Sequence, residues 1–284
     1  EERRDVKSVC GDYPAVMSFD LGHMELEREK SLDNVPFRKI RQETINQYKR
    51  GGVVSFSWHL DNPLTGKDAW DVSDTTVVAS ILPGGVHHAK FISWLDAVAA
   101  FMNTLETEEG TKIPVIFRPW HEHTGSWFWW GQNLCTADQY KALWRMTHDR
   151  MHARGVKNLL YAYSPGSEPK DSTAYLERYP GDDIIDLVGF DTYQFDRTQY
   201  MEQLDKSLAI LTEVGKAHDK PIAITETGFE AIPDSVWWTQ TLYPVISKYP
   251  ISYVLVWRNA RERVNHYYAC LLYTSPSPRD PKTS

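Results

Sequence analysis

Two glutamates, Glu122 and Glu226, stand among residue types that tune the chemistry of a carboxyl group. Glu122 belongs to the run FRPWHEHTGSWFWWG (117–131), which combines an arginine, two histidines and four consecutive aromatic residues. Glu226 belongs to the run ITETG (224–228). A carboxyl group that stays protonated can donate a proton, and one that stays ionised can act as a base or a nucleophile. The two glutamates are therefore candidates for a reaction that needs both roles.

Cleavage of the bond between two sugars is a reaction of this kind. One carboxylic acid assists the departing oxygen, while a carboxylate about 5–5.5 Å away attacks the anomeric carbon and retains its configuration. Nearby tryptophan is expected to disfavour the charged form of Glu122, while neighbours such as Arg118 and Tyr193 are expected to favour ionised Glu226. The residue types thus predict Glu122 as the acid/base and Glu226 as the nucleophile.

The four consecutive aromatic residues suit a sugar ligand. Sugar rings have apolar C–H faces and a rim of hydroxyl groups, so flat side chains can stack on them while His, Arg and Asn bind the edges. Trp127, Phe128, Trp129 and Trp130 cannot all face one core, whichever secondary structure they adopt. At least one of them is predicted to form a sugar platform, and Trp129 and Trp130 fit packing positions equally well.

Seven short apolar runs predict the strands that would position these residues. Each has about the length of a strand, and nearly continuous hydrophobicity is typical of parallel strands covered on both faces. Helical patterns lie between several of them, including 36–50 and a segment that opens with a capping box at Thr136 and Gln139. The predicted strands are 15–19, 53–57, 114–117, 159–163, 186–190, 221–225 and 253–257.

The alternation of strands and helices predicts an α/β fold. Neither a GxGxxG motif nor a phosphate loop follows the first strands, which favours a (β/α)8 TIM barrel over a nucleotide-binding open sheet. Polar and aromatic residues follow the predicted strands, and in such a barrel these carboxyl ends meet at the rim that carries the active site. A closed barrel has eight strands, so this fragment is expected to lack its first strand.

Length and composition limit the class of partner. A chain of 284 residues suits one large domain, and its net charge of -7 opposes binding to nucleic acid. The sequence contains no apolar run of about 20 residues that would predict a membrane span, and it shows no signal peptide. Cys10, Cys135 and Cys270 have neither the spacing of a metal site nor an even-numbered disulfide framework.

Both ends of the sequence look truncated. The first residues, EERRDVKSV, have the pattern of the exposed part of a helix, whereas LLYTSPSPRDPKTS (271–284) turns abruptly to Ser, Pro and charged residues without periodicity. We therefore predict a catalytic barrel over residues 1–268 and a non-native or disordered tail over residues 269–284.

A metal site and a non-catalytic sugar-binding site are the alternatives to acid/base chemistry. His121-Glu122-His123 invites a metal site, but the zinc-protease motif places its histidines four apart on a helix, whereas these are two apart after a strand. No metal site is predicted. A sugar-binding protein without activity is the other alternative, although both glutamates and their arginine, histidine and tyrosine neighbours are present.

The motifs RPWHEHTGSWFWWG, VVSFSWH, VGFDTY, ITETG and VLVWRN resemble those of glycoside hydrolase family 26, in the same order, from about residue 10 to about residue 268. The resemblance implies a β/α barrel with the acid/base glutamate after strand four and the nucleophile after strand seven. The third and sixth predicted strands then correspond to these two, and strand one is missing. The resemblance assigns Glu122 as acid/base, Glu226 as nucleophile, and His59, Arg118, His121, Trp127, Tyr193 and Trp257 as substrate-binding residues.

The best known members of this family are endo-acting β-1,4-mannanases. The resemblance therefore implies retaining hydrolysis of mannan, glucomannan or galactomannan without a cofactor. Activity on β-1,3-xylan or on mixed-linkage glucan (lichenan), or a non-catalytic sugar-binding fragment, are the alternatives. Because the substrate is a polymer, the protein is expected to be secreted or periplasmic. We also expect a monomer whose partner is a β-mannan polysaccharide or oligosaccharide.

Overall fold

The computed structural model describes residues 5–260, 263 and 265–269. Each of the seven predicted strands is present at its predicted place in this part of the chain. The strands are β1 (Val16–Asp20), β2 (Val53–Ser57), β3 (Val115–Arg118), β4 (Leu159–Tyr163), β5 (Leu187–Tyr193), β6 (Ile222–Gly228) and β7 (Val254–Val256).

Helices lie between the strands, as the sequence predicts. The α-helices are α1 (Asp5–Cys10), α2 (Phe37–Lys49), α3 (Val77–Ile81), α4 (His88–Asn103), α5 (Ala137–Ala153), α6 (Ser172–Leu176), α7 (Arg197–Ala217) and α8 (Tyr243–Ile246). Short 3-10 helices cover Met24–Leu26 and His123–Gly125, and a π-helix covers Trp238–Leu242.

The strands form one parallel sheet in chain order, from β1 to β7. Cα atoms of β1 and β7 come within 8 Å of one another, so the sheet curls into a nearly closed barrel. No strand pairing joins β1 to β7 among the described residues. The fold is that of a (β/α)8 barrel with seven strands in the described part of the chain.

Helix packing buries the outer face of the sheet. Helix α5 opens with the predicted capping box, because the Thr136 side chain accepts from the Gln139 backbone and the Gln139 side chain accepts from the Thr136 backbone. The apolar stripe of α4 is buried, including Phe91, Leu95 and Met102. Strands β3 and β6 are buried along their whole length, which matches their nearly continuous hydrophobicity.

Strands β5 and β6 run further than predicted. They extend to Tyr193 and Gly228 because strand pairing continues through these residues, with Tyr193 opposite Gly228. The predicted strand ends at 190 and 225 were therefore too early, and Asp191, Tyr193 and Glu226 lie within the strands. These side chains stand on the rigid ends of paired strands rather than on loops.

The structure describes the chain from residue 5 near its start, but it does not describe the last residues of the sequence. Helix α1 confirms the helix predicted at the start of the chain. Residues 270–284 lie outside the described residues, so the tail over 269–284 and the barrel boundary at 268 stay predictions. Cys10 and Cys135 are free, and Cys270 lies outside the described residues. In the described part of the chain, no helix is both long enough and apolar enough to cross a membrane.

Candidate active site

Arg118, the last residue of β3, holds two carboxylates at the carboxyl end of the barrel. Its Nη1 donates to Asp191 Oδ2 and its Nη2 to Glu226 Oε2, each at 2.5 Å. The Tyr193 hydroxyl donates to the other oxygen of Glu226. Since both oxygens of Glu226 have a donor, the carboxylate is fixed in orientation and faces the mouth from the end of β6.

A β-bulge between β5 and β6 brings Asp191 beside Glu226. The register shifts after Phe190, so that Asp191 lies opposite Glu226 and Thr225 is the extra residue. The Thr225 hydroxyl donates to Asp191 Oδ1 at 2.6 Å. Bulges re-aim side chains, and this one turns two carboxylates towards the single guanidinium of Arg118.

The charges in this buried group depend on one another. Burial raises the pKa of the Asp191 carboxyl to about 7, against the lowering effect of Arg118. Burial alone would lower the pKa of Arg118, but Asp191 and Glu226 outweigh it and hold that pKa above its usual value. Arg118 therefore keeps its positive charge inside the site.

Glu122 reaches this group from the loop that follows β3. Its backbone is left-handed, at φ 55° and ψ 25°, and Trp120 is left-handed as well, at φ 57°. Such residues cost about 1–3 kcal/mol each, and they cluster at functional sites. The Glu122 N–H donates to the Ser164 carbonyl at 2.8 Å, and the Tyr140 hydroxyl donates to the Trp120 carbonyl at 2.6 Å. These bonds anchor the strained loop.

Trp127 is the member of the aromatic run that is open to a ligand. Its side chain is 41% exposed, whereas Phe128, Trp129 and Trp130 are buried. The Trp127 ring N–H donates to Glu122 Oε2 at 2.8 Å. A Cβ at Gly125 would overlap the Trp127 ring, so only glycine at that position allows the ring to lie over the loop.

Several effects hold the pKa of Glu122 well above its usual value. Burial is the largest cause, and the negative charges of Glu226 and Asp191 add to it, while Arg118 and the Trp127 N–H act in the opposite direction. The raised pKa is thus the predicted direction. The predicted cause was wrong, because Trp127 donates a hydrogen bond that favours the ionised form.

The three carboxyl groups lie very close together. One oxygen each of Glu122, Asp191 and Glu226 lies within 4.8 Å of the others. Oxygens at this spacing could hold a cation, but Arg118 already supplies positive charge to Asp191 and Glu226. The arrangement instead pairs a carboxyl group that favours its proton with a carboxylate held by a guanidinium and a hydroxyl. Such a pair can donate a proton on one side and attack on the other.

A second wall of the mouth is built from His59 and His121. Their Nε2 atoms lie 3.0 Å apart, and His59 Nδ1 lies 2.5 Å from Asp20 Oδ2. Burial, together with Arg118 and His59, holds the pKa of His121 well below its usual value. The ring of Trp257 lies 6.1 Å from that of His59, and the half-exposed ring of Trp70 stacks on His59 at 5.4 Å.

These contacts place all eight predicted site residues at one mouth of the barrel. Trp70 was missed, because it lies in a long loop whose sequence has no strand pattern. Asp20 is the last residue of β1, and Asp191 lies near the end of β5. The structure shows direct bonds from Asp20 to His59 and from Asp191 to Arg118.

Comparison with known proteins identifies relatives of this chain. A GH26 β-mannanase from Bacteroides ovatus is 64% identical with a TM-score of 0.93, and the match covers 94% of this chain and 78% of that chain. The catalytic domain of an endo-β-1,4-mannanase from Bacillus sp. JAMB-750 is 33% identical with a TM-score of 0.84, over 94% and 73% of the two chains.

Curated relatives are longer than the region that they share with this chain. A mannan endo-1,4-β-mannosidase of Bifidobacterium adolescentis is 39% identical over 236 residues, which are 79% of this chain and 23% of that protein. A second one, from Caldalkalibacillus mannanilyticus, is 28% identical over 89% of this chain and 48% of its own length. The sequence model of glycosyl hydrolase family 26 matches residues 1–264. The chain therefore belongs to glycosyl hydrolase family 26.

Proposed function

We propose that this chain is a retaining endo-β-1,4-mannanase that hydrolyses mannan, glucomannan or galactomannan. The observation that carries the mechanism is the distance between Glu122 and Glu226, whose nearest oxygens lie within 4.8 Å. Retaining enzymes separate their carboxyl groups by about 5–5.5 Å, and inverting enzymes by about 6.5–9.5 Å to admit a water molecule. The short separation supports a covalent route.

In the first step, an oxygen of Glu226 attacks the anomeric carbon while the glycosidic C–O bond breaks. Glu122 gives its proton to the leaving oxygen, and its raised pKa keeps that proton available. In the second step, Glu122 takes a proton from water, and the water oxygen replaces Glu226 at the anomeric carbon. Arg118 and Tyr193 orient Glu226 for both steps.

The remaining predicted residues would hold the sugar. Trp127 and Trp257 offer aromatic faces, and the histidine pair His59 and His121 offers ring nitrogens to hydroxyl groups. Since Trp127 also donates to Glu122, its ring would contact the sugar next to the bond that breaks.

The names of the relatives support mannan as the substrate. The proteins from Bacteroides ovatus, Bacillus sp. JAMB-750 and Bifidobacterium adolescentis are each described as a mannanase or a mannan endo-1,4-β-mannosidase. A polymer of this kind is degraded outside the cytoplasm, so we propose that the protein is secreted or periplasmic. One barrel provides every residue of the proposed site, which is consistent with action as a monomer.

Digestion of defined manno-oligosaccharides tests both the reaction and its stereochemistry. We expect internal cleavage, with the fresh reducing end in the β-configuration when products are followed by NMR before mutarotation. An α-configured product would contradict the retaining mechanism. Parallel assays on mannan, β-1,3-xylan and lichenan test the substrate, and a preference for either of the last two would reject mannan. Binding without turnover would instead indicate a sugar-binding fragment.

A further inference from the structure

Asp20, the last residue of β1, is surrounded by hydrogen-bond donors. Its Oδ1 accepts from the backbone N–H groups of Gly22, at 2.7 Å, and His59, at 3.2 Å. Its Oδ2 lies 2.6 Å from the donating Ser57 hydroxyl and 2.5 Å from His59 Nδ1. Asp20 and His59 are both buried, so water does not compete for these bonds.

The two oxygens of Asp20 differ in how far their partners can adapt. Both partners of Oδ1 are backbone N–H groups, which can only donate. A Cβ at Gly22 would clash with the His59 carbonyl and with Asp20, so glycine is needed for this close approach. Both partners of Oδ2 can change from donor to acceptor, because the Ser57 hydroxyl can rotate and the histidine ring can move its proton to the other nitrogen.

The charge state of Asp20 decides where the proton of His59 resides. Burial raises the pKa of Asp20, but His59, Ser57 and the Gly22 N–H outweigh it and lower that pKa to about 2. Asp20 is then a carboxylate, which only accepts hydrogen bonds, so the nitrogen that faces it must carry hydrogen. That nitrogen is Nδ1 of His59.

The proton on His59 Nδ1 in turn determines the direction of the bond between the two histidines. When the imidazole of His59 is neutral it carries one N–H, so with hydrogen on Nδ1 its Nε2 is an acceptor. His121 must then donate from its own Nε2, which lies 3.0 Å away.

We propose that Asp20 is a positioning residue that holds the proton of His59 on Nδ1 and so sets the direction of the hydrogen bond between His59 and His121. The inference rests on the proposed function, in which this histidine pair binds the sugar.

Asp20→Asn is expected to reverse this arrangement, because an asparagine amide has one oxygen that accepts and one NH2 group that donates. The amide oxygen must face the two backbone N–H groups, since neither Gly22 nor His59 can withdraw its backbone donor. The amide NH2 then faces the Ser57 hydroxyl and His59 Nδ1. Ser57 rotates to accept, and the His59 ring moves its proton to Nε2. The variant keeps the shape of the aspartate but gives His59 the opposite tautomer.

The tautomers can be read from ¹⁵N NMR of histidine-labelled protein at pH 8, with the His59 signals assigned by their loss in His59→Gln. We expect His59 to carry hydrogen on Nδ1 in the unmodified chain and on Nε2 alone in Asp20→Asn. The value of kcat/KM on a manno-oligosaccharide is expected to fall about 10- to 100-fold, by analogy with the loss of a carboxylate that orients a metal-binding histidine. The melting temperature is measured in parallel to detect a purely structural effect.

Asp182→Asn is the matched control. Asp182 Oδ1 lies 2.9 Å from Nδ1 of His218, but this pair is on the surface and away from the mouth. We expect Asp182→Asn to leave kcat/KM unchanged.

The proposal would be overturned if His59 carried hydrogen on Nε2 in the unmodified chain, alone or together with Nδ1, or if Asp20→Asn left the hydrogen on Nδ1. If Asp20→Asn fails to fold, the tautomer of His59 in the unmodified chain still tests the proposal. The NMR result does not depend on turnover, so a failure of this inference is distinguishable from a failure of the proposed mannanase activity.

Discussion

Glu122 and Glu226 belong to the same cluster of carboxyl groups, but they are held in opposite ways. Glu226 stands on a fully buried strand and has a donor on each oxygen, one of them a guanidinium. Glu122 stands on a loop in the left-handed backbone region, and the bond to its side chain comes from the neutral, half-exposed Trp127. The difference shows how two residues of one type acquire different roles.

Electrostatics links the two environments. Two carboxyl groups this close cannot both be ionised without a large cost, so the charge goes to the one with cationic support. Arg118 bonds directly to Glu226, while it acts on Glu122 only through space. The proton therefore resides on Glu122. Substitutions at Glu226, Glu122, Tyr193 and Trp127 each disturb this difference between the two glutamates.

Glu226→Ala is expected to have the largest effect. It removes the attacking oxygen, so turnover should fall by about 10⁴-fold or more on every substrate, as for other nucleophiles. Initial rates on mannan and on an aryl mannoside measure the loss. Glu230→Ala is the control and should keep normal rates, because Glu230 is exposed, lies four residues further along and bonds to His266. Activity in Glu226→Ala within tenfold of normal would refute the assignment.

Glu122→Ala is expected to discriminate between substrates. General acid catalysis contributes about 10²- to 10⁴-fold, and that loss should appear on mannan, whose leaving group needs a proton. An aryl mannoside with an acidic phenol as its leaving group needs little assistance, so its first step should be much less affected. The rate of phenol release compares the two. An equal loss on both substrates would contradict the role of Glu122 as the acid.

Tyr193→Phe weakens the support of Glu226 without removing charge. Hydrogen bonds to charged groups contribute about 1.5–3 kcal/mol, which corresponds to a loss of about 10- to 100-fold in kcat. Tyr200→Phe is a matched control, because the Tyr200 hydroxyl bonds at 2.7 Å to the hydroxyl of Thr227, the residue after Glu226, rather than to a carboxylate. Equal losses in the two variants would assign the Tyr193 effect to packing.

The sequence was sufficient to predict the seven strands and to place Glu122 near Glu226, because parallel strands have a simple pattern. Nearly continuous apolar runs located all seven strands, and the carboxyl ends of parallel strands must share one rim. Placing Glu122 near Glu226 therefore needed no knowledge of tertiary contacts. The assignment of the smaller roles to His59, His121 and Trp257 came from the family resemblance.

Features that depend on three-dimensional pairing could not be predicted in this way. The bulge at Thr225 depends on the register between two strands more than thirty residues apart, and it is this bulge that aligns Asp191 with Glu226. The stacking of Trp70 on His59 depends on the path of a long loop. The sign of the Trp127 effect on Glu122 depends on which edge of the indole faces the carboxyl group, which composition does not reveal.

Trp127→Phe is expected to have the smallest effect, seen in the pH profile rather than in the maximal rate. Glu122 must be protonated in the free enzyme, so kcat/KM falls as pH rises through its pKa. The Trp127 N–H stabilises the ionised form and lowers that pKa. Phenylalanine has no such donor, so the pKa of Glu122 should rise and the alkaline limb of kcat/KM should move to higher pH.

Trp127→Ala separates this hydrogen bond from the aromatic surface. It also lacks the N–H, so the alkaline limb should move in the same direction, but the loss of the ring should raise KM more than it lowers kcat. Phenylalanine keeps a ring and should preserve most of the affinity. A limb that stays in place in both variants would mean that the bond from Trp127 to Glu122 has no influence on the proton, and the contrast between the two glutamates would then rest on burial and Arg118 alone.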